Sequence, residues 1–378
     1  MAVREIRITP ESLSARLSLK VKAGGATLRL LVRCVDSNLN EEMSGMATLT
    51  TSRLIDRPVE EAPAPWAHWA QSRWTKASPV IRRRTVALGG TLAVGAAGAA
   101  VALRRHHRRG GMRQPVTGTF PNGMGYARFG TGGKSLLWIG GPSVGAPQGF
   151  YLRAMGLLFR PFVADGFSVW LVAQRENRPQ GQTVADMADD YAALIAEEFD
   201  GRVDLAVGHS TGGMIGFYLA ARHPDSFGHI AIAGAGCEWT EQADTTNLKA
   251  ARLMSEGKLH DAAAVLIRFN NPPRVPGLVD VLAEVMARVS LSAPFNPSDV
   301  LIEAEALHHY DPRPILPGIT VPILLTCGDQ DGWFPKEVIE ETARLIPRCT
   351  LKLYPGKNHL SALSTPDFSK DVLDFTRR

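Results

Sequence analysis

From about Thr117 to Arg378, short apolar or β-branched runs alternate with helix-length segments. A doubly wound, mostly parallel sheet requires this pattern, because each parallel strand needs a crossover long enough to bring the chain back to the same edge. Strands are expected at Ser135–Ile139, Ser168–Val172, Val203–Val207, Ile230–Ala233, Ile323–Cys327 and Thr350–Tyr354, with helices between them that include Val184–Phe199 and Gly213–Arg222. One stretch breaks the alternation. Between Trp239 and about Tyr310, three or four amphipathic helical patterns, such as LHDAAAVLIRF and GLVDVLAEVMARV, follow one another without a strand. An insertion of that size between two strands is expected to form a helical lid over residues 239–310. The fold class is therefore α/β over residues 117–378, a doubly wound sheet with an inserted lid.

The part before this domain divides in two. Residues 1–84 mix charged, Pro-rich and short apolar runs, with EEAPAPW near Glu60 acting as a linker, and little packed structure is expected there. Residues 85–103, TVALGGTLAVGAAGAAVAL, carry no charge and are about 19 residues long, enough for one helical crossing of a bilayer. Arg82, Arg83 and Arg84 precede the stretch, and Arg104, Arg105, Arg108 and Arg109 follow it. Three readings stay open: a membrane anchor, an export signal built on Arg83-Arg84, and an Ala/Gly-rich segment with no membrane role. As an anchor it would leave the folded domain on the cytoplasmic side, because the downstream basic cluster is slightly the heavier.

Composition narrows the function classes. The net charge of +5 is local to the two arginine clusters, so a nucleic-acid partner is not expected. Cys34, Cys237, Cys327 and Cys349 are scattered without a CxxC pair, which removes a zinc site and a disulfide framework. Cys327 falls inside an expected strand, where a buried cysteine behaves as a small hydrophobe.

Chemistry concentrates at three places. The strand ending at Val207 runs into Gly208-His209-Ser210-Thr211-Gly212-Gly213 and then a helix. This is G-x-S-x-G in a strand–turn–helix context, the arrangement that exposes a serine hydroxyl on a turn tight enough to demand glycines. Such a serine needs a base to take its proton and an acid to fix the tautomer of that base. Asp331 follows the strand Ile323–Cys327 in the loop GDQDGWFP, and His359 follows Thr350–Tyr354 in GKNH. All three residues are expected on loops at the C-terminal edge of one sheet, where ligand sites of such sheets lie. Asp329 is the alternative acid, although the first acidic residue of a loop more often braces the turn. His106 and His107 sit in a basic cluster, His308 and His309 at the end of the lid, and His209 beside the nucleophile; none of them is the expected base.

With these residues in order, the chain resembles the α/β-hydrolase superfamily over roughly Thr117 to Arg378, on GHSTGG, GDQDGWFP and GKNH with a helical lid ahead of the acid. Trp138-Ile139-Gly140-Gly141-Pro142-Ser143 is similar to the His-Gly-Gly-Pro turn of esterase- and iminopeptidase-like members, with Ile139 where those members have histidine. The resemblance implies that the amides of Gly141 and Thr211 form an oxyanion hole. A register one residue further on would put Pro142, which lacks an N–H, at the donor position. It further implies a serine hydrolase that acts on a small-molecule carboxylic ester, lipid-like if residues 85–103 are an anchor, and that needs no cofactor or metal. A serine at the elbow argues against the epoxide- and halide-directed members, which use aspartate there. Carbon–carbon bond hydrolysis, perhydrolysis and a non-enzymatic binding role on the same fold are the alternatives.

Overall fold

The computed structural model describes residues 114–140, 149–270, 278–289 and 295–378, together with three strands near the N-terminus. The latter are β1 (Ile6–Arg7), β2 (Ser14–Ala23) and β3 (Ala26–Val35), paired antiparallel in the order β1-β2-β3. These strands fall within residues 1–84, where little packed structure is expected from sequence. The basis of the small sheet is a period-2 pattern: register sets Leu17 opposite Val32, Leu19 opposite Leu30 and Val21 opposite Leu28, with Ser18 and Lys20 between them on β2 and Arg29 and Leu31 between them on β3. Residues 85–103 lie outside the described residues. Among those described, no helix is long and apolar enough to cross a membrane.

The second unit, Arg109–Arg378, is built on an eight-stranded sheet. Its strands are β4 (Val116–Thr119), β5 (Gly125–Phe129), β6 (Lys134–Ile139), β7 (Phe167–Val172), β8 (Val203–His209), β9 (Phe227–Ala233), β10 (Ile323–Gly328) and β11 (Cys349–Tyr354). They lie in the order β11-β10-β9-β8-β6-β7-β5-β4. From β7 to β11 every neighbouring pair is parallel, and only β4·β5 and β5·β7 are antiparallel. The six strands expected from sequence are all present. The β4–β5 hairpin was not anticipated, because two such short segments interrupted by glycines carry little periodic signal.

Helices α1 (Gly149–Ala164), α2 (Val184–Glu198), α3 (Thr211–Arg222), α8 (Lys336–Leu345) and α9 (Pro366–Phe375) cover the two faces of the sheet. One core gathers Met187, Tyr191 and Ile195 of α2 with Met214 and Phe217 of α3 against Ile230, Ile232 and Leu325. The other packs Phe159 and Phe162 of α1 and Phe368 and Val372 of α9 against Trp138, Val207 and Leu324. Alternate residues of the central strands thus enter opposite cores, as burial on both faces of a parallel sheet demands. Helix α2 starts at a capping box, in which the Thr183 hydroxyl accepts from the Asp186 amide and the Asp186 carboxylate accepts from Thr183 N–H.

Between β9 and β10 the lid contributes four helices: α4 (Glu241–Ser255), α5 (Leu259–Asn270), α6 (Leu278–Val289) and α7 (Pro297–His308). They have a small core of their own in which alanines dominate (Ala251, Ala262, Ala263, Ala264, Ala283, Ala287 and Ala304) around Met254 and Val300. Small side chains let these helices approach closely. The lid is strapped to the main body through α7. Asp299 accepts from the main-chain amides of Asn177 and Arg178, each at 2.8 Å, and Glu303 one turn later pairs with the buried Arg178 guanidinium at 2.8 Å. The Arg- and Gly-containing loop after β7 therefore anchors the lid.

Candidate active site

The sheet register brings the three chemical loops together. Ile139 lies beside Gly208, His209 beside Ala233, Ala233 beside Thr326, and Gly328 beside Tyr354. The C-terminal ends of β6, β8, β9, β10 and β11 therefore form one rim.

Ser210 sits at the hinge between β8 and α3 with φ 57° and ψ −122°, in the left-handed half of conformational space that a side chain rarely adopts. The surrounding turn holds it there: its own N–H donates to Ala233 O at 2.9 Å, while its carbonyl accepts from the amides of Gly213 and Met214. Strain of this kind persists only where the neighbourhood over-determines it. Two glycines make the turn passable. A Cβ on Gly208 would collide with the Gly212 carbonyl, and one on Gly212 would collide with the carbonyl oxygens of Ile139 and Gly140. Gly212→Ala must push α3 off the end of β6. The expected cost is about 3 kcal/mol of stability, read as a lowered urea midpoint, because the obstruction is main chain and cannot rotate away.

His359 Nε2 lies 3.0 Å from Ser210 Oγ, and His359 Nδ1 lies 2.8 Å from Asp331 Oδ2. An ionised carboxylate can only accept, so Nδ1 carries the proton and Nε2 is left to accept the serine hydroxyl. Asp331 is sealed from solvent and its oxygens are fully engaged. Oδ1 accepts from Trp333 N–H at 2.8 Å and Phe334 N–H at 3.2 Å, and Oδ2 accepts from His359 and from the Cys327 thiol at 3.3 Å. Burial pushes this carboxyl upward, but the hydrogen bond and charge of His359 and the two amides outweigh it, so its pKa falls below the usual 3.8. Burial also holds Cys327 protonated, so its thiol stays a donor. Asp329 Oδ1 instead accepts from Gly356 N–H at 2.6 Å and braces the loop that carries His359.

Sequence reasoning missed Gly234, the first residue after β9. With φ +58° and a would-be Cβ 3.2 Å from His359 Cε1, it leaves the room that the imidazole occupies. Its trace in the sequence is only a glycine at a strand end, a frequent occurrence. Aromatic rings pack around His359, with Trp333 at 5.9 Å and Phe334 at 6.1 Å between centroids. Thr211 opens α3 and its amide belongs to the first turn, whose N–H groups have no acceptor within the helix. Gly141 lies outside the described residues, as do His106 and His107. His308 engages Asp244 at 2.8 Å and His309 engages Glu305 at 3.0 Å, both in the lid. Among the described residues no cluster of three or more His, Cys, Asp and Glu could hold a metal ion.

His209 has its ring 5.2 Å from that of His359, and its Nε2 is sealed from solvent. Burial, then the neighbouring His359, pushes its pKa from 6.5 down to about 3, with Asp331 opposing weakly. The unfolded chain thus takes up a proton below about pH 6.5 that the folded chain refuses until about pH 3. Stability falls as pH drops through that window, by up to about 1.4 kcal/mol per pH unit. Asp331, with its lowered pKa, adds its own loss only below about 3.8. Urea titrations of the wild type and His209→Asn at several pH values should show the steeper acid loss in the wild type alone.

Residues 130–369 match the alpha/beta hydrolase family. Among curated proteins, the chain is 30% identical over 223 residues to a protein named as a carbamate hydrolase, RutD, of Yersinia enterocolitica, covering 58% of this chain and 74% of the other. It is 26% identical over 201 residues to the pimeloyl-[acyl-carrier protein] methyl ester esterase of Neisseria meningitidis serogroup A, covering 48% and 62%. Among solved structures, a thermophilic esterase from Thermogutta terrifontis superposes with a TM-score of 0.53 at 22% identity, over 70% of this chain and 98% of the other. The enol-lactonase from Burkholderia xenovorans gives a TM-score of 0.53 at 22% identity over 68% and 96%. With its eight-stranded sheet and with the family matched over most of the second unit, the chain belongs to the alpha/beta hydrolase family and is a hydrolase.

Proposed function

We propose that this hydrolase cleaves a carboxylic ester through an acyl-enzyme on Ser210, with His359 as base and then acid and Asp331 as the residue that orients it. The observation that carries the reading is the continuous relay from Asp331 through His359 to Ser210, at 2.8 and 3.0 Å, ending on a serine held at positive φ. Ser210 Oγ attacks the carbonyl carbon as its proton passes to His359 Nε2. The new oxyanion takes hydrogen bonds from the amides of Thr211 and Gly141, each worth roughly a few kcal/mol to the transition state. The carbon–oxygen bond to the alcohol then breaks, and the alcohol leaves with the proton held on His359. Water, deprotonated by the same nitrogen, attacks the acyl carbonyl; the acid departs and the serine recovers its proton.

The aromatic rings beside His359 favour an ester with an apolar group on that side. The relative named as a methyl ester esterase is consistent with an ester substrate. Residues 85–103, in the anchor reading, would bring the domain to a lipid surface; retention of the full chain in membranes through a carbonate wash would support that reading and release would remove it. The test of the chemistry is turnover of p-nitrophenyl esters of increasing acyl length together with labelling by a fluorophosphonate. Purified, folded protein that turns over none of the series and takes no label would end the proposal.

A further inference from the structure

The acid loop is held on both sides by the lid. Trp333 stands two residues after Asp331 and bonds in three directions. Its main-chain N–H donates to Asp331 Oδ1 at 2.8 Å, its carbonyl accepts from Thr240 N–H at the start of α4 at 3.2 Å, and its indole N–H donates to Asn270 Oδ1 at 2.7 Å. Asn270 is the last residue of α5. Its amide nitrogen is committed to Leu266 O at 3.0 Å, which turns its oxygen toward the indole. The preceding residue, Phe269, meets the Trp333 ring edge-on at 4.6 Å, and that ring in turn lies 5.9 Å from His359. A push on the end of α5 therefore has a short mechanical path to the amide that holds Asp331.

We propose that Trp333 is a positioning residue through which lid helix α5, latched by Asn270, sets the orientation of Asp331, so that a substrate group pressing on α5 is registered in kcat. The proposal rests on the reading of Ser210, His359 and Asp331 given above. Side chains of a lid that only shaped the pocket would change how tightly a substrate binds and leave the chemical step alone. A lid that holds the acid changes the chemical step itself, because small displacements of a catalytic group are costly: roughly a hundredfold in rate for 1 Å. On this proposal an acyl chain long enough to press on α5 is turned over faster than a short one, and the difference lies in kcat.

The experiment compares wild type, Asn270→Ala, Trp333→Phe and the double variant on p-nitrophenyl acetate through decanoate. In the wild type kcat rises with chain length. Either substitution flattens that dependence and lowers kcat on the long esters by roughly tenfold, with KM moved by less than about twofold, and the double variant is no worse than the poorer single, as expected for residues acting as one unit. A kcat profile unaltered by the substitutions, a wild-type kcat indifferent to chain length, or losses that multiply in the double variant would overturn the proposal. Hydrogen exchange supplies a readout that needs no turnover: the amides of Trp333 and Phe334 should exchange severalfold faster in Asn270→Ala. They should be unchanged in Leu282→Ala, which removes an exposed lid side chain on α6. Unchanged exchange in Asn270→Ala would sink the latch even if the protein hydrolyses no ester, whereas faster exchange in a protein without turnover would leave the latch standing and sink the ester reading.

Discussion

Ser210→Ala is expected to lower kcat on any ester the protein hydrolyses by a factor on the order of 10⁶, with KM little changed and fluorophosphonate labelling lost. The size follows from what the hydroxyl does. In the proposed mechanism no acyl-enzyme forms without Oγ, and what remains is the contribution of the amides of the turn and of substrate binding. The fold should survive. Alanine keeps the Cβ and so bears the same strain at φ 57° as serine, and the main-chain bonds to Ala233, Gly213 and Met214 that shape the turn do not involve the side chain. A melting temperature equal to that of the wild type should accompany the lost activity.

Asp331→Asn should cost on the order of 10⁴ in kcat, the loss expected when a base is locked in the wrong tautomer. The local bonding explains why an isosteric change is so damaging. The amides of Trp333 and Phe334 both donate to Oδ1 and would hold the amide oxygen of the substituted side chain at that position. The new NH₂ is then forced toward His359 Nδ1 and Cys327 Sγ, where two donors already point. Imidazole can accept that N–H only by moving its own proton to Nε2, which turns a donor toward the serine hydroxyl and removes the base. Cys327→Ala is milder in comparison, since it takes away one weak donor and leaves the tautomer intact.

Much of this was legible in the sequence because it is local. The six parallel strands show as short apolar runs, and GHSTGG announces its turn because glycine is demanded at Gly208 and Gly212 by main chain on either side. The order serine, aspartate, histidine follows from strand ends that the sheet aligns. What was not legible depends on long-range contact. Gly234 matters only because an imidazole 125 positions later (Gly234 to His359) fills the space above it. Asn270 is an ordinary helix-end residue until Trp333 places an indole against it. Asp299 and Glu303 lie at helical spacing and could equally face water; their burial against Arg178 is a product of how the lid docks. The strands β2 and β3 went unread for a different reason: they lie in a region whose linker-like composition masked a genuine period of two.

Rapid quenching of the enzyme during turnover of a p-nitrophenyl ester, followed by mass spectrometry of its peptides, tests most directly whether an acyl group is carried on a serine activated by its two partners. The acyl mass should appear on the peptide holding Ser210, at up to one group per chain, accumulate in His359→Ala only over much longer times, and be absent from Ser210→Ala. Turnover without any covalent adduct, or an adduct that survives in Ser210→Ala, would contradict the account.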